Sequence, residues 1–491
     1  MSTTQQGRWR QSHRVALVAL GLVGCAVGPN YVRPDPPKTS SYTAAPIPMA
    51  TVVADGQVQR FVGGKKVDAD WWRLFENPKI NAFIAQALVD NPTLQAAQAT
   101  LRQSQDILRA GYGVFVPQVV GDVGASRQTS NLRLIGSTAP NSVFNLFTLS
   151  ATVSYTLDIW GGQRRQVEGL RAQVEAQRYN VMGTYIMLAA NIVNAAIAQA
   201  AYHAQIRATE DLIVLEKEQV SITRAQADSG TVPFSNVLSL QSELATTQAT
   251  LPPLRQKIDQ ANHLLATLLG RSPADFSAAL DGQGLGLKDF KLPEDLPVSL
   301  PSQLVHQRPD ILLAEAQLII ANAQIGVTTA AMFPSLTLSS TVGLNSTSAA
   351  NIFQSDSSFW SLGASLVGPI VDGGTRWYQR KAAIEAHDAV LAGYRQTVLS
   401  ALAQVADTLR ALEHDAETLS AQADAVHAAF EALHLTHINY QTGIATYLQL
   451  LIADEQYHQA TIAYVQAQAQ RLQDTVALYV ALGGGWWLAQ K

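Results

Sequence analysis

The side chains with the most chemical reach are ten histidines, a single cysteine and a few clustered carboxylates. His427 and His434 fall on one face of a helical pattern, with His437 nearby, a spacing at which imidazoles can hold a metal ion. Histidines scattered along polar helices produce such pairs by chance, so no metal site is expected. Glu413, Asp415 and Glu417 read as a solvated face rather than an acid and base set. Trp71 with Trp72, and Trp486 with Trp487, read as packing rather than a ligand cage. The chain carries no nucleophile elbow, H-E-x-x-H, P-loop or paired-cysteine motif. It reads as no enzyme, and no cofactor is implied.

Cys25 has a defined covalent chemistry. Arg8, Arg10 and Arg14 precede the apolar run VALVALGLVG, which is too short to span a bilayer and has the shape of a signal peptide. LVGC resembles the lipobox of bacterial lipoproteins, which implies that Cys25 becomes the first mature residue and carries acyl chains, palmitate among them, on its sulfur and amine. Ala26 in place of Asp favours, by the same resemblance, export to the outer membrane. A lone cysteine excludes internal disulfides, so stability rests on packing. The following AVGPNYVRPDPPKTS reads as an extended, Pro-rich tether.

The elements that position these residues come in two copies. NPTLQAAQATLRQSQDILRAGYGVFVPQV, from Asn91, aligns without gaps with RPDILLAEAQLIIANAQIGVTTAAMFPSL, from Arg308. LDIWGG answers IVDGG, Gly230 answers Gly443, and LLGRSP answers ALGGGW. Each half reads helix, strand, strand, very long helix, turn, helix. Charged residues are 15% and the net charge is -4, too small to argue for a nucleic-acid partner. No run approaches 18 consecutive apolar residues, so no membrane-spanning helix is expected.

From Phe147 to Ile159 every second residue is apolar and the others are Thr, Ser or Asp, the period of a strand with one apolar and one polar face. SLTLSSTVGLN and SFWSLGASLVGPIVDGG alternate likewise, and QVVGDVGASRQ does so more weakly. All four are long enough to cross a bilayer when tilted. Gly162 to Ser229 and Gly374 to Gln441 contain no proline, and at 1.5 Å rise each gives a rod of roughly 100 Å. In the second rod Leu391, Tyr394, Val398, Leu402, Val405, Leu409 and Leu412 trace a coiled-coil seam. Four strands cannot sit in lipid alone, because their edges would expose backbone groups to hydrocarbon. Closure needs further copies: two at least, while three would give twelve strands.

The sequence resembles the TolC-type outer-membrane efflux proteins, in their NodT-like lipoprotein branch. The resemblance rests on LVGCAVGPNYVRP, DWWRLFENPKINAFIAQALVDNP, VPQV and FPSL at strand entries, LDIWGG and VDGG at strand exits, LLGRSP and the closing ALGGGW. It implies an α+β homotrimer with a 12-stranded transmembrane β-barrel continuous with a periplasmic α-helical barrel, lipid-anchored in the outer membrane. It also implies a periplasmic adaptor and an inner-membrane pump of the RND type as partners in multidrug efflux. The expected boundaries are a signal peptide over 1–24, a tether and equatorial segment over 25–70, and a first repeat over 71–290. That repeat has strands at 118–130 and 147–159, a rod at 162–229 and a return helix at 233–269. The second repeat spans 291–485, with strands at 335–346 and 359–371, a rod at 374–441 and a return helix at 446–482; 486–491 is a tail. By the same resemblance Leu448 and Ile452 occupy the constriction of the duct, and the turns at Gly230, Thr231, Gly443 and Ile444 contact the adaptor. The family's acid is missing at Ile452, and Asp454, about 200° further round the helix, faces elsewhere. The closure is therefore expected to be hydrophobic. A coiled-coil envelope lipoprotein without a pore is the alternative.

Overall fold

The computed structural model describes residues 26–129, 138, 140, 142–279 and 284–486. The signal peptide, Cys25 and Trp487 lie outside the described residues. The first half of the chain runs β1 (Arg60–Gly63), α1 (Pro78–Asp90), α2 (Pro92–Gly111), β2 (Gln118–Thr129), β3 (Val143–Leu157), α3 (Gly162–Asp228), α4 (Phe234–Leu268) and α5 (Pro273–Ala279). The second runs β4 (Asp295–Val298), α6 (Pro301–Leu304), α7 (Pro309–Ala330), β5 (Ser335–Ser346), β6 (Ser358–Val367), α8 (Thr375–Gln441) and α9 (Tyr447–Ala481). Two compact units emerge. One takes the residues up to Arg33 with Leu101–Ala176 and Ala314–Tyr394; the other takes Pro34–Thr100, Gln177–Leu313 and the residues from Arg395 onward.

The first unit is built on an antiparallel sheet in the order β2-β3-β5-β6. Its register keeps like with like. Val123 faces Leu149, Leu149 faces Leu344, and Val342 faces Trp360, while on the other face Thr152 faces Thr341 and Thr156 faces Thr337. Both threonine pairs join hydroxyl to hydroxyl at 3.0 Å. The sheet thus has one apolar and one hydroxyl-rich face across all four strands. β2 and β6 are its edges, and among the described residues neither has a second neighbour.

The bounds of two strands differ from those expected. β3 begins earlier and stops at Leu157, because Asp158 turns to cap α3, accepting from the N–H of Gln163 at 2.9 Å and of Arg164 at 3.0 Å. β6 stops at Val367 rather than 371, just before Gly368 and Pro369, which has no N–H to donate to a ladder. Asp372 then caps the start of α8, accepting from the N–H of Gly374 and Arg376. The two aspartates of LDIWGG and VDGG therefore do the same job at the same place in each repeat.

The segment after Cys25 is docked, not a free tether. Val27 N–H donates to Trp160 O at 2.9 Å, Asn322 Nδ2 to Pro29 O at 3.0 Å, and Arg165 Nη2 to Asn30 Oδ1 at 2.6 Å. Tyr31 and Arg33 both donate to the buried carboxylate of Glu315. Gly28, at φ +93°, lies so close to α7 that a Cβ would stand 2.6 Å from the Gly326 Cα.

The second unit gathers the return helices and most of both rods. β1 and β4 pair in parallel, bringing residues 60–63 to 295–298. Its core holds Trp71, stacked on Tyr479 at 5.4 Å, and Trp72 against Tyr185. Trp486 Nε1 donates to Gln307 O at 2.9 Å. In α8 the buried stripe is Tyr394, Val398, Ala401, Val405, Leu409, Leu412, Ala416 and Leu419. Ala401 replaces Leu402 in the expected seam: it is fully buried, whereas Leu402 is only half-buried. A methyl at that level lets neighbouring backbones approach where leucine would hold them apart.

Each short helix is tied to the return helix of its own half. Asn91 Nδ2 donates to Leu268 O at 2.8 Å and its Oδ1 caps Leu94, whereas Arg308 Nη1 donates to Ala481 O at 2.8 Å and grips Asp310 with its other nitrogens. Helices α3 and α7 each carry an 18-residue window apolar enough to cross a membrane by length and composition, contrary to the expectation of none, but about half of each window is buried inside the protein. Core packing accounts for that apolarity.

Docking of the N-terminal strap through Gly28 predicts that Gly28→Ala frees it. Limited chymotrypsin digestion should then cut after Tyr31 several-fold faster than in the parent protein, and equal rates would show that the contact with Gly326 does not hold the strap.

Candidate functional site

The gate and adaptor-contact residues singled out in the sequence lie where the rods turn. Both rods end in the same hydrogen-bonded motif around a left-handed glycine. Gly230, at φ +78°, donates to Ala227 O and Thr231 to Gln226 O; Gly443, at φ +75°, donates to Tyr440 O and Ile444 to Asn439 O. This 5→2 and 6→1 pair satisfies carbonyls that the helix end leaves open. Return helix α4 starts after Pro233 without a side-chain cap, while α9 starts with a capping box between Thr446 and Gln449. The two rod ends are tied together, Tyr440 Oη donating to Gln226 Oε1 at 3.1 Å with Thr223 Oγ1 beside it.

On α9, Leu448 and Ile452 lie one turn apart and are 61% and 45% exposed in the single chain, as is Ile444 at the turn. Leu450 and Ala453 point the other way, into a cluster with Leu433, Tyr440 and Tyr457. Asp454 is 4% exposed. It faces Glu216 on α3, whose Oε1 accepts from Thr247 of α4 at 2.8 Å and whose Oε2 has no hydrogen-bond partner among the described residues. Burial first, and then the Glu216 charge, push the Asp454 carboxyl up to about 7. Burial also raises Glu216, with Glu243 adding to it and the Thr247 hydrogen bond opposing. Angular reasoning placed Asp454 away from Ile452 but could not show its partners, because α3 lies more than 200 residues earlier in the chain. Two acids thus meet at this helix junction, and among the described residues no arginine or lysine is bonded to either.

Other sequence candidates resolve differently. His434 stacks on Phe430 at 6.4 Å, and among the described residues no three His, Cys, Asp or Glu side chains come together. Glu413 pairs with Arg410 and Glu417 with His414. Asp415 departs from the solvated-face reading: it turns inward, and burial, then its hydrogen bond to Asp474, push it up to about 7, with Arg471 opposing. Arg471 itself is buried, donating from Nε to Gln59 Oε1 at 3.0 Å and from Nη2 to Thr51 Oγ1 at 3.2 Å.

The acid at 454 has a folded pKa raised above its ordinary value of 3.8. Its stabilising contribution is therefore complete below that value and is lost as pH rises through about 7. Asp454→Asn should melt progressively higher than the parent as pH is raised from about 4 to about 7, with a limiting slope near 1.4 kcal/mol per pH unit, and the difference should stay flat above. A pH-independent difference in circular-dichroism melts would remove the buried-acid assignment.

Comparison with known proteins agrees with this architecture. The family described as outer membrane efflux protein matches residues 83–271 and 300–484. The pyoverdine export outer membrane protein OpmQ of Pseudomonas aeruginosa is 29% identical over 451 residues, covering 90% of this chain and 94% of that protein. The cation efflux system protein CusC of Escherichia coli K12 is 27% identical over 471 residues, covering 95% and 98%. Among solved structures, the outer-membrane channel OprN superposes with a TM-score of 0.83 at 28% identity, over 94% of this chain and all of that one. The open state of the Neisseria gonorrhoeae MtrE outer membrane channel does so at 0.79 and 26%, over 94% and 99%. Sheet, rods and both repeats fall within these matches, and the chain belongs to the outer membrane efflux protein family: it is an outer-membrane channel component, not an enzyme.

Proposed function

We propose that three copies of this chain form a passive duct through the outer membrane, working with a periplasmic adaptor and an inner-membrane pump of the RND type to expel drugs or other small toxic solutes. The observation that carries this reading is the sheet: one apolar face, one hydroxyl-rich face and two unpaired edges. An open edge in hydrocarbon costs several kcal/mol for each unsatisfied backbone group. With β6 of one copy running antiparallel to β2 of the next, an even number of strands closes without a parallel seam. Three copies give twelve strands, with apolar side chains toward lipid and hydroxyls toward water. The names of relatives cover pyoverdine, cations, antibiotics and toluene, which supports a conduit of broad acceptance. A pore-less spacer has no use for such a sheet.

In this reading Cys25 carries the acyl anchor, and the docked strap supports it: Val27 is bonded to Trp160, whose ring stacks on Phe333 at 4.5 Å beside two strand ends. Trp and Phe at that level suit a membrane interface. The helical unit continues the path through the periplasm. The turns at Gly230, Thr231, Gly443 and Ile444 meet the adaptor, presenting exposed Ile444 and Phe234 to it. Leu448 and Ile452 close the inner end with apolar side chains, a constriction that gates by excluding water. The duct does no chemistry, and the inner-membrane partner supplies the energy.

Purified full-length protein should run in detergent as a heat-resistant trimer and give discrete conductance steps in planar bilayers. Leu448→Ala combined with Ile452→Ala should raise the closed-state current several-fold; an unchanged current would remove these residues from the gate.

A further inference from the structure

The duct reading leaves open what distinguishes one solute from another inside the barrel, and the polar face of the sheet bears on it. In the register of the four strands that face carries Gln118, Val120, Asp122, Gly124, Ser126 and Gln128 on β2, then Phe144, Leu146 and alternate threonines and serines on β3, serines and threonines with Gly343 and Asn345 on β5, and Phe359, Ser361, Gly363, Ser365 and Val367 on β6. Among the strand residues of this face, Asp122 alone is charged. The other charged strand residue, Arg127, has the opposite parity and stands two residues from the end of β2.

Asp122 sits in a defined row. It pairs with Ser150, Ser150 with Gly343, and Gly343 with Phe359. A Cβ on Gly124 would stand 3.6 Å from the Asp122 Oδ1, so the carboxylate lies along the polar face toward Gly124. A Cβ on Gly343 would stand 2.7 Å from the Ser150 Cβ and 2.9 Å from a Phe359 ring carbon. The bare glycine is what lets the Phe359 ring lie over this row, on the same side as Asp122.

We propose that Asp122 gives the barrel lumen a preference for cations, inorganic or organic, over anions. The inference rests on the trimeric duct. Three copies place three carboxylates at one level of a lumen whose other strand side chains on this face are uncharged, with the Phe359 rings on the same face. Low-dielectric walls focus the field of such a ring into the water between them, charged rings are a general means of ion selection, and aromatic faces add attraction for organic cations. The tip positions Leu448 and Ile452 are uncharged and add no charge of their own to this selection. Charges on the helical unit act in series with it, and the comparison that isolates Asp122 is between variant and parent.

The test is the reversal potential of the full-length protein in planar bilayers under a tenfold KCl gradient, with the dilute side near 10 mM, where the Debye length is about 30 Å. Asp122→Asn should lower the permeability ratio of potassium over chloride by roughly two-fold or more, Asp122→Glu should keep it, and Asp122→Lys should carry it toward chloride. Ser150→Lys, which sets a cation beside an intact Asp122, should cancel the preference and covers the case in which changes at 122 prevent assembly. Unchanged reversal potentials in Asp122→Asn and Ser150→Lys, with conductance steps intact, overturn the assignment while leaving the duct standing. No conductance steps from the parent protein overturn both.

Discussion

Backbone hydrogen bonding in hydrocarbon is the constraint on which the molecule depends. β3 and β5 have neighbours on both sides, whereas among the described residues β2 and β6 leave a row of N–H and C=O groups open along one side each. In water such edges are tolerable, but in lipid they are not. The chain is therefore incomplete as a folded object in its own membrane, and association of copies follows from its secondary structure before any interface is considered. The alternation that makes one face apolar and the other hydroxyl-rich is the same requirement read through the side chains.

The helical unit answers a different demand, which is to keep long rods straight and close together with few charges. Alanine at 401 and 416 allows close approach, and each of the four long helices ends at a left-handed glycine, at 230, 270, 443 and 483, with the same pair of hydrogen bonds. The repeats are thus alike in their stops as well as their starts, where Asp158 and Asp372 cap the rods. Polar groups are buried where helices of different halves or segments must be held in register. Arg471 with Gln59, and Arg308 with the end of α9, are fixed points of that kind.

Much of this was legible in the residues. The period of two in FTLSATVSYTL, the proline-free rods and the repeated motifs give the strands, rods and duplication directly, because those signals are local. The boundaries were less so: Asp158 and Asp372 looked like parts of strand exits, and their role as caps depends on which way the chain turns after them. The GPNYVRP segment reads as a tether by composition, yet it is docked, because its partners Glu315, Asn322 and Gly326 lie nearly 300 residues away. At the tip, helical geometry alone separates Asp454 from Leu448 and Ile452. Its burial against Glu216 is a long-range fact that no window along the chain contains. The inward turn of Asp415 toward Asp474 escaped for the same reason.

The parallel pairing of β1 with β4 and the docking of the strap on α7 have a consequence for how the chain acquires its shape. Both contacts join the earliest stretches to segments more than 200 residues downstream. Loop-closure entropy of that size delays such contacts until the middle of the chain has been made. The strap and β1 must therefore wait for those segments before they can pair. Although they are made early, the strap and β1 are among the last parts of the chain to settle.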